Sequence, residues 1–261
     1  MRTNGPEPIT PRQRRVRGDI REALLNAALI EFGAKGFDGA STRAIAARIG
    51  AHQPQIHYHF ESKAALWTAS VDYLFGLLGE AMADVLPAEP TNTDVPQLAA
   101  AFADGIRRFV AFAARHPELN QILVHEGTAD SDRLSWMTHT YVKPIFDAIS
   151  AVWPILRQAS IAAQVDSDIV YYLLIGGASI PYVNAPEVRL LTGHDPQATT
   201  WITAHADALI TVLLPGIAGQ LANDSRSRWS NPRGPVTRYE AVPLSGSRRE
   251  GAAPPAHPKR C

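Results

Sequence analysis

From residue 20 the apolar positions Ile20, Ala23, Leu24, Ala27, Ala28 and Phe32 recur at i, i+3, i+4 and i+7, the rhythm of a helix with one buried face. Gly36 is placed to end it, since glycine takes the left-handed conformation at a helix C-terminus at no steric cost. Ser41 then caps a short second helix, residues 42–49, whose inward positions are Ile45, Ala46 and Ile49, and Gly50 closes it. A third short helix starts near Gln53, because Pro54 falls in the first turn, where a missing N–H costs least. Ser62 caps a fourth, long helix with the stripe Leu66, Tyr73, Leu74, Leu77, Leu78, Ala81 and Val85, and Pro87 stops it.

Residues 87–96 hold three prolines among small polar residues and read as a connector. Further helical patterns fall at 96–115, 117–125, 131–159, 167–182 and 196–214, the last begun by Asp195 and Pro196. Pro144 and Pro154 must kink or divide the third of these. No segment alternates like a strand, so the expected fold class is all-α: an N-terminal three-helix helix-turn-helix domain plus a larger C-terminal helical domain. The expected divisions are a flexible basic arm at 1–18, a helix-turn-helix head at 19–63, a larger helical body at 64–218, and a tail at 219–261 rich in Pro, Gly and Ser and expected to be disordered.

Charge sharpens this picture. The formal net charge is zero, yet Lys and Arg outnumber Asp and Glu by 10 to 6 over residues 1–63, trail 7 to 16 over 64–218, and lead 8 to 3 over 219–261. A basic head on an acidic body suits an approach to a polyanion. The one cysteine, Cys261, excludes an internal disulfide framework and a thiol cluster, and a reducing cytoplasm is the expected compartment. No apolar run is long enough for a membrane span, and the Arg14-Arg15 pair lacks the apolar stretch an export signal needs.

The residues of the first four helices resemble the TetR family of bacterial regulators: Ala27-Ala28-Leu29 with Phe32 and Gly36-Phe37, then Ser41-Thr42-Arg43-Ala44-Ile45-Ala46, then Ile56-His57-Tyr58-His59-Phe60 and Ser62-Lys63. A looser resemblance runs through His116-Pro117-Glu118, Glu126-Gly127, Asp130 to Leu134 and Ala185-Pro186-Glu187. The family resemblance adds DNA binding to the head, and ligand binding and dimerisation to the C-terminal helical body. It implies a homodimeric regulator, a repressor released from a double-stranded DNA operator by an apolar or amphipathic small-molecule effector, with no cofactor and no catalytic step. Thr42 and Arg43 then hold phosphates at a helix N-terminus. Gln53 and Gln55 read bases, since a glutamine amide pairs both N6 and N7 of adenine, while His57, Tyr58, His59 and Lys63 tighten the grip on the backbone. The chain departs from the family pattern at His52, a poorer N-cap than serine or threonine, and at His57, where tyrosine is usual.

The resemblance also assigns the dimer interface to the last two helices, with Gly176, Gly177 and Ala178 permitting close approach and Leu173, Leu174, Leu209, Ile210 and Leu213 supplying apolar area. Phe109, Phe112, Trp136, Trp153 and Tyr172 are the candidate ligand-binding aromatics, with His125, Glu126 and His139 as candidate polar partners. A metal site at His52, His57 and His59 is disfavoured, because residues 57 and 59 do not share a helix face. The alternative from a different class is a helical small-molecule carrier or enzyme that binds no DNA. No phosphate loop or activated nucleophile supports the enzyme.

Overall fold

The computed structural model describes residues 11–85 and 94–217, with side chains from Asp19 onward. The described part is all-helical. The helices are α1 (Pro11–Gly39), α2 (Thr42–Arg48), α3 (Gln53–Phe60), α4 (Lys63–Ala81), α5 (Val95–Arg115), α6 (Glu118–Glu126), α7 (Asp132–Met137), α8 (Lys143–Gln158), α9 (Ser167–Val183), α10 (Ala185–Thr192) and α11 (Thr199–Leu213). A π-helical segment, Thr138–Val142, joins α7 to α8.

Several expected boundaries move. Helix α1 begins at Pro11 rather than near residue 20, so the second part of the expected basic arm continues the helix; residues 1–10 lie outside the described residues. Proline suits that start, because the first helical position has no N–H to lose. Gly36 breaks the helical dihedrals at φ 67°, as expected, although helical turns resume to Gly39. Helix α4 ends at Ala81 instead of running to Pro87, and most of the expected connector, like the tail from residue 218, lies outside the described residues. The stretch expected as one helix at 131–159 is divided just ahead of Pro144. Pro144 enters the first turn of α8 directly after the π-helical segment, and Pro154 is accommodated inside α8.

Helix α10 was not expected, although its signals are present: Pro186 in the first turn, Glu187 beside it, and Gly193 at φ 71° at the C-cap. Helix α11 starts later than residue 196, because the Asp195 carboxylate is used in the preceding turn, accepting from Gln197 N–H at 3.2 Å and from Arg189.

Two apolar clusters organise these helices. One gathers Leu24, Ala28, Leu29 and Phe32 of α1, Ile45 of α2, Ile56 and Phe60 of α3, and Leu66, Trp67, Val71, Leu74 and Leu78 of α4. It continues into Phe112, Leu119, Ile122 and Met137, so the boundary expected between residues 63 and 64 falls inside a continuous core. The other packs Phe102, Ile106 and Val110 of α5 against Val152 and Trp153 of α8, Tyr171 and Ala178 of α9, and Ile210 of α11. Helices α1 and α6 approach closely at Gly33, where a Cβ would meet Gln121 Oε1 at 2.7 Å. A side chain there would displace the end of Gln121 and press on Glu118, whose Cα lies 3.3 Å from the same point.

Candidate DNA interface and regulatory cavity

The helix-turn-helix is built by local capping. Ser41 Oγ accepts from Ala44 N–H at 3.4 Å at the start of α2, and Ser62 Oγ from Ala65 N–H at 3.0 Å at the start of α4. Helix α2 is tied to α1 by the buried carboxylate of Glu31, which takes Lys35 Nζ at 2.7 Å and Arg48 at 3.6 Å. The hydrogen bond and charge of Lys35, with Arg48 and the Ser41 backbone, hold that carboxyl below its usual range against the opposing effect of burial.

At the start of α3, His52 stands at the N-cap position, and its backbone N–H donates to Gln55 Oε1 at 3.0 Å. The oxygen of Gln55 is thereby used to cap the helix, and the side chain is half-buried. Gln53 is exposed at the same end, with Nε2 3.5 Å from Thr42 Oγ1, which links the first residues of α2 and α3. Arg43, His57 and Tyr58 are exposed, and Thr42 and His59 are half-buried. His57 Nδ1 lies 3.1 Å from the carbonyl of Glu61, a residue held at φ 60° between α3 and α4. An imidazole whose Nδ1–H donates to that carbonyl has only an acceptor at Nε2 until a second proton arrives. Lys63 does not extend freely. Its ammonium donates to the Asp38 carbonyl at 3.2 Å and sits 4.9 Å from the centre of the Phe37 ring, pinning α4 to the end of α1.

A cavity of about 440 Å³ lies between α4, α5, the π-helical segment, α8 and α9. Phe75, Leu78, Ile106, Phe109, Ile145 and Leu174 are representative of its wall, and Asp84, Thr140, Tyr141 and Tyr171 are its polar side chains. Of the five aromatics expected at a ligand site, Phe109 alone lines it. Phe112 is buried in the first cluster, stacked on His116 at 4.5 Å. Trp153 is fully buried, with its indole N–H on the Val165 carbonyl at 2.7 Å. Trp136 packs between Trp67 and Tyr141, and Tyr172 is 74% exposed on α9. None of the three expected polar partners reaches the cavity wall either. His125 lies against Gly36, Glu126 binds Arg133, and His139 Nδ1 lies 2.7 Å from the Ser135 carbonyl.

An aromatic chain joins this cavity to the helix-turn-helix. Tyr141 and Phe75, both in the wall, stack at 4.5 Å; Tyr141 meets Trp136 at 5.6 Å, Trp136 meets Trp67 at 5.7 Å, and Trp67 meets Phe37 at 6.3 Å. Tyr141 also donates its hydroxyl to Asp72 of α4, and burial followed by that contact raises its pKa to about 12. Arg133 lies 4.0 Å over the Phe37 ring while its Nε donates to both oxygens of Glu126, at 3.2 and 3.0 Å.

The exposed face of α9 is apolar: Ile169, Tyr172, Leu173 and Ile180 are all solvent-facing, with Val212 on α11. Leu174, Ile210, Leu213 and Ala178, expected at an interface, are core residues of this chain, and Gly177 receives Leu209 of the same chain at 3.1 Å from the position of a Cβ. Leu173 and Gly176 do face outward. Among the described residues, no three of His, Cys, Asp and Glu group as metal ligands, and no helix is long and apolar enough to cross a membrane.

Comparison with known proteins follows this geometry. Residues 24–69, spanning the head from α1 into α4, match the model of the bacterial regulatory proteins of the tetR family. The HTH-type transcriptional regulator RutR of Escherichia coli strain K12 is 22% identical over 215 residues, covering 82% of this chain and 98% of that protein. The fold is shared with AibR, solved with isovaleryl coenzyme A and operator DNA, at TM-score 0.58, 18% identity, and coverage of 75% of this chain and 98% of that one. It is shared as well with the ketosteroid regulator KstR2 of Mycobacterium tuberculosis, at TM-score 0.57, 15% identity, and coverage of 75% and 95%. The helix-turn-helix match at one end and the common all-helical architecture over the rest agree: residues 24–69 are similar to the DNA-binding head of the bacterial tetR-family regulatory proteins, and the chain shares the fold of AibR and KstR2.

Proposed function

We propose that this protein is a cytoplasmic homodimeric repressor whose α3 helices enter successive major grooves of an operator and withdraw when an apolar molecule fills the cavity. The observation that carries this reading is the placement of α4. Its first residue, Lys63, is pinned to the α1 end beneath the recognition helix, and its far half, from Phe75 to Gly79, walls the cavity. The 19 residues of α4 span about 28 Å at about 1.5 Å each, so a tilt of about 5° at the cavity shifts the head by about 2 to 3 Å. RutR carries the name of a transcriptional regulator, and AibR was solved with an operator and a small ligand together, which supports the same division of labour here.

In this reading Gln53 is the base-reading amide, and Arg43, Thr42, His57, Tyr58 and His59 meet phosphates or base edges around it. Lys63 and Gln55 hold the helix in place. The apolar face of α9, with Val212 of α11, supports a second copy as its occupant, and no catalytic step is called for.

Selection of bound sequences from a random DNA pool by the full chain tests the proposal. A pseudo-palindrome is the expected product, with affinity falling roughly three to five decades between 50 and 200 mM salt if about 6 to 10 phosphates are met. Recovery of no sequence, with ligand binding intact, would establish a helical carrier instead.

A further inference from the structure

The cavity wall is selective by charge. Among the described residues its lining contains no lysine, arginine or histidine and has one carboxylate, Asp84. A second carboxylate, Asp72, receives the hydroxyl of the wall residue Tyr141. The lysine and arginines that flank wall residues along the chain are already committed: Lys143 to both oxygens of Asp147 at 2.8 Å, Arg107 to Asp207 at 3.1 Å, and Arg108 to Asp104 at 2.7 Å and the Ala83 carbonyl at 3.1 Å. Besides the Asp84 carboxylate, the hydrogen-bonding groups left to a guest are uncharged. Thr140 presents a hydroxyl, and Tyr171 presents a phenol that hydrogen-bonds to no described residue and that desolvation keeps protonated, its pKa raised to about 12.

We propose that this cavity takes an uncharged or cationic apolar molecule and excludes carboxylates and phosphates. The inference rests on reading the cavity as the regulatory site, and it names the ligand class. An anion brought into this wall would be stripped of water with no cation to replace it, and it would approach two carboxylates. An alcohol or ketone instead finds Tyr171 and Thr140 as partners, and an ammonium finds Asp84. The volume of about 440 Å³, at about 30 Å³ for a water-sized group, admits roughly 15 non-hydrogen atoms.

Isothermal titration of the full chain without DNA, at pH 7, with decan-1-ol, decylamine and decanoate below their aggregation limits decides the matter. The three probes share one chain length and differ in head charge. Decanol and decylamine are expected to bind at least tenfold more tightly than decanoate. In Asp84→Asn, decylamine is expected to lose roughly two- to fivefold, the range of a partly exposed charge pair, with decanol unchanged. Decanoate binding as tightly as decanol, or no binding by any of the three, overturns the proposal, and an unchanged decylamine affinity in Asp84→Asn overturns its cationic half. Because DNA is absent, the result stands apart from operator binding: charge selectivity can hold while DNA selection fails, and the converse.

Discussion

Arg133→Met is expected to be among the most destabilising single substitutions outside the apolar cores. The Glu126 side chain is 4% exposed, and its described partner is the Arg133 guanidinium. Methionine preserves much of the side-chain volume and removes the charge, leaving a carboxylate in a dry site, a change that costs about 3 to 5 kcal/mol. Loss of the guanidinium from the Phe37 face, 4.0 Å away, adds about 0.5 to 2 kcal/mol. Against a typical total stability of about 5 to 15 kcal/mol this is a large fraction. At about 2 to 4 °C per kcal/mol for a chain of this size, the melting temperature should fall by roughly 10 to 20 °C. Thermal unfolding followed by circular dichroism at pH 7, at one protein concentration, measures it.

The double variant with Glu126→Gln provides the control. An amide in place of the carboxylate removes the buried charge, so the pair should be more stable than Arg133→Met alone by about 2 kcal/mol or more. A cost below about 1 kcal/mol for Arg133→Met, or no recovery in the double variant, would refute the view that this pair holds α6 and α7 against the head.

Three further outcomes are expected. Gln55→Ala should lower affinity for all DNA sequences alike, by loosening α3 at a cost of about 1 kcal/mol, whereas Gln53→Ala should relax base preference; competition binding on operator variants separates them, and the reverse pattern refutes the placement. Leu173→Glu, on the exposed face of α9, should weaken the dimer at least tenfold in sedimentation equilibrium, and an unchanged dimer would move the interface elsewhere. His205 is half-buried against Tyr182, with Nδ1 3.0 Å from the hydroxyl, and desolvation lowers its pKa from 6.5. Below pH 6.5 the unfolded chain takes up a proton that the folded chain refuses, so stability should fall as pH drops from there toward the lower folded value. His205→Gln should flatten this slope in denaturant titrations between pH 7 and 5, and an unaltered slope refutes the assignment.

The head was legible because its signals are local. Ser41 and Ser62 cap the helices they precede, and Gly36 turns where glycine alone is unstrained. The body was legible as helices but not as a site. Phe109 and Phe112 sit three positions apart on α5, yet one lines a cavity and the other fills a core, a difference set by which helices pack on either side. Tyr172 belongs to an apolar i, i+3, i+4 pattern with Ile169 and Leu173 that reads as core, and its exposure emerges only once the other face of α9 is seen to be buried. The capping role of Gln55 was hidden because the N-cap residue is a histidine, and the contact uses its backbone rather than its side chain. Helix α10 has proline and glycine punctuation at its ends, but it buries only Ala185 and leaves Leu190 and Leu191 exposed, so no buried stripe marks it.

The π-helical segment sets the angular phase of everything that follows it. Each residue of an α-helix advances the side chains by about 100°, so in an unbroken helix the buried positions Ile149, Val152, Trp153 and Leu156 would centre about 110° away from Met137. The wide turn at Thr138–Val142 holds one extra residue and absorbs about 100° of that difference. Met137, which packs in the head cluster, and the four residues that pack in the body then face the same side of one continuous rod. Deleting a single residue between 138 and 142 would turn the wide turn into regular α-helix and leave both apolar faces in phase, whereas a regular helix at full length would rotate one half by more than a quarter turn.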